Sequence, residues 1–71
     1  MMEKKIFAVS GMKCVHCKAR VEEALKALSG VAAAEGDLAR QTVAVTYDAA
    51  QASPEEMAAA VAASGPYVLT L

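Results

Sequence analysis

Two thiols and one imidazole stand close together in the run Gly11-Met12-Lys13-Cys14-Val15-His16-Cys17, which holds every cysteine and the only histidine of the chain. A Cys-x-x-Cys pair by itself fits several chemistries: a redox couple, half of a zinc site, or a two-thiolate seat for a soft cation. The thiolate, not the thiol, binds metal, so the setting of the pair decides its use. A structural zinc site needs four ligands, and two cysteines plus His16 do not supply them. Cu(I) is soft and is satisfied by two or three thiolates, which leaves room for an incoming thiol. Ligand count therefore favours Cu(I) on Cys14 and Cys17, handed over by ligand exchange through shared-thiolate intermediates. Hg(II) shares the two-thiolate preference and stays open, as do Zn(II) and Cd(II) more remotely.

The stretches on either side must position these groups. Lys4 to Ser10 alternates as a strand should, Phe7 and Val9 facing one way and Ile6 and Ala8 the other. From about Val15 to Leu28 the period turns helical, with Val21, Ala24, Leu25 and Leu28 on one stripe. Glu22 and Lys26 are spaced for an ion pair, and Gly30 is placed for a left-handed cap. Cys14 thus falls in a loop and Cys17 in the first helical turn, where free N–H groups and the helix dipole favour thiolate. Lys13, Lys18 and Arg20 add positive charge.

Val31 to Leu38 is a weak strand, poor in propensity because of Ala32, Ala33, Ala34 and Gly36, and suits a sheet edge. Ala39-Arg40-Gln41 turns into Thr42 to Tyr47, a strong strand with Val43, Val45 and Tyr47 on one face. Ser53-Pro54-Glu55-Glu56 opens a second helix with a capping box. Its buried stripe is Met57, Ala60, Val61 and Ser64, and Gly65-Pro66 ends it before a last strand, Tyr67 to Leu71. The order β-α-β-β-α-β predicts an α+β, ferredoxin-like sandwich: a four-stranded antiparallel sheet with two helices on one face. That order disfavours a thioredoxin-like redox protein, which needs a larger β/α frame.

Seventy-one residues make one domain, 1–71, with a modest core and no deep substrate cleft. A formal charge of −1 without a basic stripe argues against nucleic acid. No apolar run approaches the about 20 residues that span a bilayer. No export signal follows Met1-Met2, and those two residues are expected to fray. The cytoplasm is the expected compartment, where close cysteines bind metal or do redox work more often than they form structural disulfides. Neither paired carboxylates nor a nucleophile with a base is apparent, so an enzyme is not expected. The ending at the last strand leans toward a stand-alone protein rather than a domain excised from a transporter.

Gly11-Met12-Lys13-Cys14-Val15-His16-Cys17, then Val21-Glu22-Glu23-Ala24-Leu25 and Gly30-Val31, resembles the heavy-metal-associated domain. This is the fold of cytosolic copper chaperones and of the N-terminal domains of copper-transporting P-type ATPases. Val43-Ala44-Val45-Thr46-Tyr47-Asp48 and Gly65-Pro66-Tyr67 extend the likeness over nearly the whole chain. The resemblance implies Cys14 and Cys17 as metal ligands, Met12 packed under the loop, and a P-type ATPase or its metal-binding domain as acceptor. It implies a monomer when metal-free, with a metal-bridged dimer as an alternative. His16 matches a histidine common in bacterial chaperones, read here as solvated rather than ligating. Tyr67 matches the tyrosine that bacterial members place near the metal. Family members selective for Zn(II) or Cd(II) tend to add an acidic ligand, and none is obvious. Two departures bear on the site. Pro66 interrupts the usual Gly-Tyr, leaving Tyr67 either beside the metal or displaced to cap the sheet. Ala34 and Gly36 replace larger residues and thin the core under the second strand.

Overall fold

A computed structural model describes residues 2–70, and these form six elements: β1 (Met2–Ser10), α1 (Val15–Lys26), β2 (Val31–Asp37), β3 (Thr42–Asp48), α2 (Pro54–Ser64) and β4 (Val68–Thr70). The sheet is antiparallel in the order β2-β3-β1-β4, so the ferredoxin-like arrangement expected from the element order is the one observed. β1 and β3 are central. The alanine-rich β2 lies at an edge, where its weak propensity costs least, and a register shift between Val31 and Ala33 twists its start.

The core follows from the alternation. Val43, Val45 and Tyr47 of β3 are buried with Phe7 and Val9 of β1, and Phe7 stands directly opposite Val43. Val21 and Leu25 of α1 and Met57 and Val61 of α2 close over them in one cluster. Both helices thus share one face. The other face leaves Ile6 and Val68 exposed, as expected for a sheet covered on one side. α2 starts as its sequence predicts: Ser53 Oγ accepts from the Glu56 N–H at 3.2 Å, which forms that half of the capping box.

Several expectations need correction. Met2 is not frayed; it pairs with Asp48 because β3 runs one residue further than expected and extends the ladder. Met1 and the Leu71 end of β4 lie outside the described residues. α1 stops at Lys26, two residues short, in a tightened turn where the Leu28 N–H reaches the Leu25 carbonyl at 3.1 Å. Gly30 does take a positive φ of 90°, but it bends the chain into β2 and is not the helix cap, which is Ala27.

Glu22 does not turn to Lys26. Its Oε2 accepts from the backbone N–H of Gly36 at 2.7 Å and lies 3.9 Å from Lys18 Nζ. A carboxylate on α1 thereby satisfies a backbone donor of the edge strand, which stabilises more than an exposed ion pair would. The small residues of β2 gain their reason here. Ala34 is buried, and a Cβ on Gly36 would lie 2.8 Å from Lys18 Cγ, so smallness lets α1 settle close on the edge strand. The lost volume is taken up by close approach. Replacing Glu22 by Ala is expected to lower unfolding free energy by about 2 kcal/mol. Glu22→Gln, which keeps an acceptor, should lose less. Urea denaturation of both variants checks this, and equal stability of wild type and Glu22→Ala would refute the role assigned to the carboxylate.

Candidate metal centre

β1 ends at Ser10, and the chain must then turn sharply to enter α1. Gly11 makes the turn with φ 96°, a left-handed conformation that L side chains rarely adopt. Its lack of a side chain matters as much as its dihedral: a Cβ there would lie 2.5 Å from the Pro66 carbonyl oxygen. Met12 follows, fully buried in the core, and anchors the loop from below. Cys14 is the N-cap of α1 in extended conformation (φ −150°, ψ 171°), and its carbonyl accepts from the Lys18 N–H at 3.1 Å.

The two thiols converge. Cys14 Sγ lies 3.3 Å from Cys17 Sγ and donates to it. Both cysteines are free; Cys14 is exposed and Cys17 half-buried. His16, between them, is exposed. Among the described residues, no group of three or more His, Cys, Asp or Glu side chains comes together. The structure therefore unites Cys14 and Cys17 and leaves His16 apart.

Tyr67 is brought in, not displaced. The Tyr67 N–H closes a tight turn onto the Gly65 carbonyl at 2.8 Å around Pro66, whose fixed φ suits the centre of such a turn. The ring is buried, and its hydroxyl acts on Cys17. The Cys17 thiol is lowered from the ordinary 9.0 to about 7. The Tyr67 hydroxyl is the largest cause, followed by the Lys13 backbone N–H, the Cys14 thiol and the Cys14 N–H, with burial opposing. Tyr67 is pushed above its ordinary 10.0, first by the same hydrogen bond to Cys17 and then by burial and the thiolate charge, while Arg20 opposes the rise. The favouring of thiolate at the helix start is thus present, but its cause differs from the sequence expectation. Neutral donors carry it, and Lys13 enters through its backbone rather than its ammonium. Lys18 is engaged with Glu22, and Arg20 bears on Tyr67.

One contributor to the loop was not anticipated. Gln41, in the β2–β3 turn, donates from Nε2 to the Met12 carbonyl and, at 2.9 Å, to the Leu38 carbonyl. Its sequence context marks a turn and nothing more, and its loop partner is 29 residues away.

The family model described as heavy-metal-associated domain matches residues 6–66. The chain belongs to that family. A relative, the copper chaperone CopZ of Staphylococcus haemolyticus, is 44% identical over 64 residues, covering 90% of this chain and 94% of that one. Among solved structures, a CopZ metallochaperone superposes with a TM-score of 0.90 at 35% identity, covering 96% of this chain and 100% of the other. The N-terminal domain of a potential copper-translocating P-type ATPase from Bacillus subtilis, solved in a Cu(I)-loaded state, gives a TM-score of 0.92 at 39% identity, covering 100% of this chain and 88% of that one.

The Cys17 shift makes a testable statement about pH. A thiol whose folded pKa is depressed contributes stability that is fully present above 9.0 and is lost as the pH falls through about 7. In the metal-free protein, ultraviolet thiolate absorbance should rise with a midpoint near pH 7 for Cys17. Tyr67→Phe removes the leading cause and should move that midpoint upward toward 9.0. An unchanged midpoint in Tyr67→Phe would assign the shift to the Cys14 thiol and the backbone donors instead.

Proposed function

We propose that the protein carries one Cu(I) ion between Cys14 and Cys17 and delivers it to a metal-binding domain of a copper-transporting P-type ATPase in the cytoplasm. The observation that carries this reading is the pair of sulfurs 3.3 Å apart with Cys17 poised near pH 7 and, among the described residues, no third His, Cys, Asp or Glu side chain grouped with them. A donor set of two soft thiolates matches Cu(I) and falls short of a closed tetrahedral zinc site. Support also comes from relatives named copper chaperones and from the Cu(I)-loaded ATPase domain of the same fold.

The transfer proposed is ligand exchange without redox change. An acceptor thiol gives up its proton and bonds to Cu(I), one Cu–S bond to Cys14 or Cys17 breaks, and the leaving thiolate takes up a proton. Cys14 is exposed and open to an incoming thiol. Met12 supports the loop from the core and Tyr67 holds Cys17 toward thiolate, while His16 remains in solvent. No catalytic step is involved beyond exchange of ligands.

A second reading, that the chain is the N-terminal domain of such a transporter, is favoured by its likeness to the Bacillus subtilis ATPase domain. The two differ in whether the open reading frame continues past Leu71 into membrane-spanning segments. Both use the same site.

Anaerobic titration against a Cu(I)-selective chelator tests the site. The wild type should retain one equivalent of Cu(I). Cys14→Ser and Cys17→Ser should each weaken retention by more than about 100-fold, the upper range for losing only an outer partner of a ligand. Tight binding preserved in either variant would remove the two-thiolate assignment. Tighter retention of Zn(II) than of Cu(I) under the same reducing competition would remove copper.

A further inference from the structure

We propose that Gln41 is a positioning residue for the metal loop, tying the β2–β3 turn to the carbonyl of Met12 and so fixing the backbone that leads into Cys14. The inference deepens the proposed carrier function and rests on it for the metal readout only.

Three observations meet at this residue. Gln41 has φ 54°, the only positive φ on a non-glycine residue among those described. A residue in this left-handed conformation is usually glycine or asparagine, because a Cβ is crowded against the backbone there. Glutamine persists at a position where glycine would sit without cost, so its side chain carries the interest. That side chain makes two hydrogen bonds, to Met12 O and Leu38 O, and both partners are acceptors. Only the NH2 end of the carboxamide can serve two carbonyls, which fixes the amide orientation without ambiguity. The backbone of Gln41 is tied as well, since its carbonyl accepts from the Val9 N–H at 2.8 Å. One residue therefore grips β1 just before the loop and grips the loop itself one residue after Gly11.

The geometry of the loop makes this grip useful. Met12 is held below by its buried side chain, but a side chain alone leaves the peptide plane free to rock. A hydrogen bond to the carbonyl stops that rocking and with it the drift of Lys13 and Cys14. The Lys13 and Cys14 N–H groups are among the donors facing Cys17. Gln41 thus acts on the dithiol through the backbone, without touching either sulfur.

The test separates the donor from the shape of the side chain. Gln41→Met keeps length and loses the donor; Gln41→Lys keeps a donor on a flexible stem. Both share the positive-φ cost, so their difference reports the hydrogen bond. In the metal-free full chain, amide hydrogen exchange at residues 13–15 should speed up roughly three- to tenfold in Gln41→Met and stay within about twofold of wild type in Gln41→Lys. Cu(I) loss to a chelator should accelerate in the same order. Gln41→Gly removes the donor and relieves the backbone together, so a folded protein with a loosened loop is expected even if the Met variant is unstable. Exchange in Gln41→Met and Gln41→Gly equal to wild type would overturn the proposal, as would equal loosening in Met and Lys. If wild type fails to retain Cu(I), the carrier reading falls while the exchange measurement still decides the role of Gln41.

Discussion

The site depends on one close backbone approach, the Pro66 carbonyl against Gly11. Two segments at opposite ends of the chain meet there, the turn leaving β1 and the turn entering β4. The absence of a side chain on Gly11 sets how near they come, and that nearness sets where Tyr67 stands. With any Cβ at Gly11 one of the two turns would have to retreat. A retreat of the β4 side would draw the Tyr67 hydroxyl from Cys17, and the thiol would keep only the weaker help of the Cys14 thiol and the backbone N–H groups. The glycine thus acts on the chemistry of a cysteine six positions away through a residue near the other terminus.

Around this contact the scaffold is built from small parts. The β2 strand offers Ala34 and Gly36 to α1, and Glu22 crosses to the Gly36 N–H. Close packing of small residues keeps the helix near the sheet, as protein interiors require for density. It also fixes the direction in which α1 leaves the loop, and therefore where Cys17 points relative to Cys14. Met12 completes the link, because the same residue fills the core and carries the loop. The site is stiff at its base and open at its tip, where Cys14, Val15 and His16 are exposed. Preorganised ligands on a rigid support can accept a cargo without first being ordered.

What was legible in the sequence was local. The alternation of Val43, Val45 and Tyr47, the Ser53-Pro54 helix start and the Cys-x-x-Cys at a strand-to-helix junction each carry their signal within a few residues, and the six elements followed from such signals. What was not legible depends on which distant groups win a competition. Glu22 had a neighbour in Lys26 and chose a backbone donor 14 residues on, because a desolvated N–H at a sheet edge is the costlier group to leave unpaired. Pro66 left Tyr67 open between two places, and only the structure shows that its fixed φ suits the turn from which the ring is buried. Gln41 read as an ordinary turn residue, since nothing local reveals that a carbonyl of the opposite loop lies within its reach. The lysines and arginine near the cysteines were visible, and their visibility misled: proximity in sequence did not make them the groups that tune the thiol.

That last difference has a physical logic for a protein that handles cations. A lysine ammonium placed against Cys17 would also favour thiolate, but it would leave a positive charge beside any metal ion that bound there, and like charges at short range repel strongly in a partly desolvated setting. A phenol hydroxyl and backbone N–H groups stabilise the thiolate through dipoles and add no net charge. Cys17 therefore keeps its negative character for the ion at pH values well below its ordinary 9.0, down to about 7. Tyr67 bears the cost, its own ionisation pushed further out of reach by the thiolate it supports, which keeps the hydroxyl a donor over the range in which Cys17 titrates.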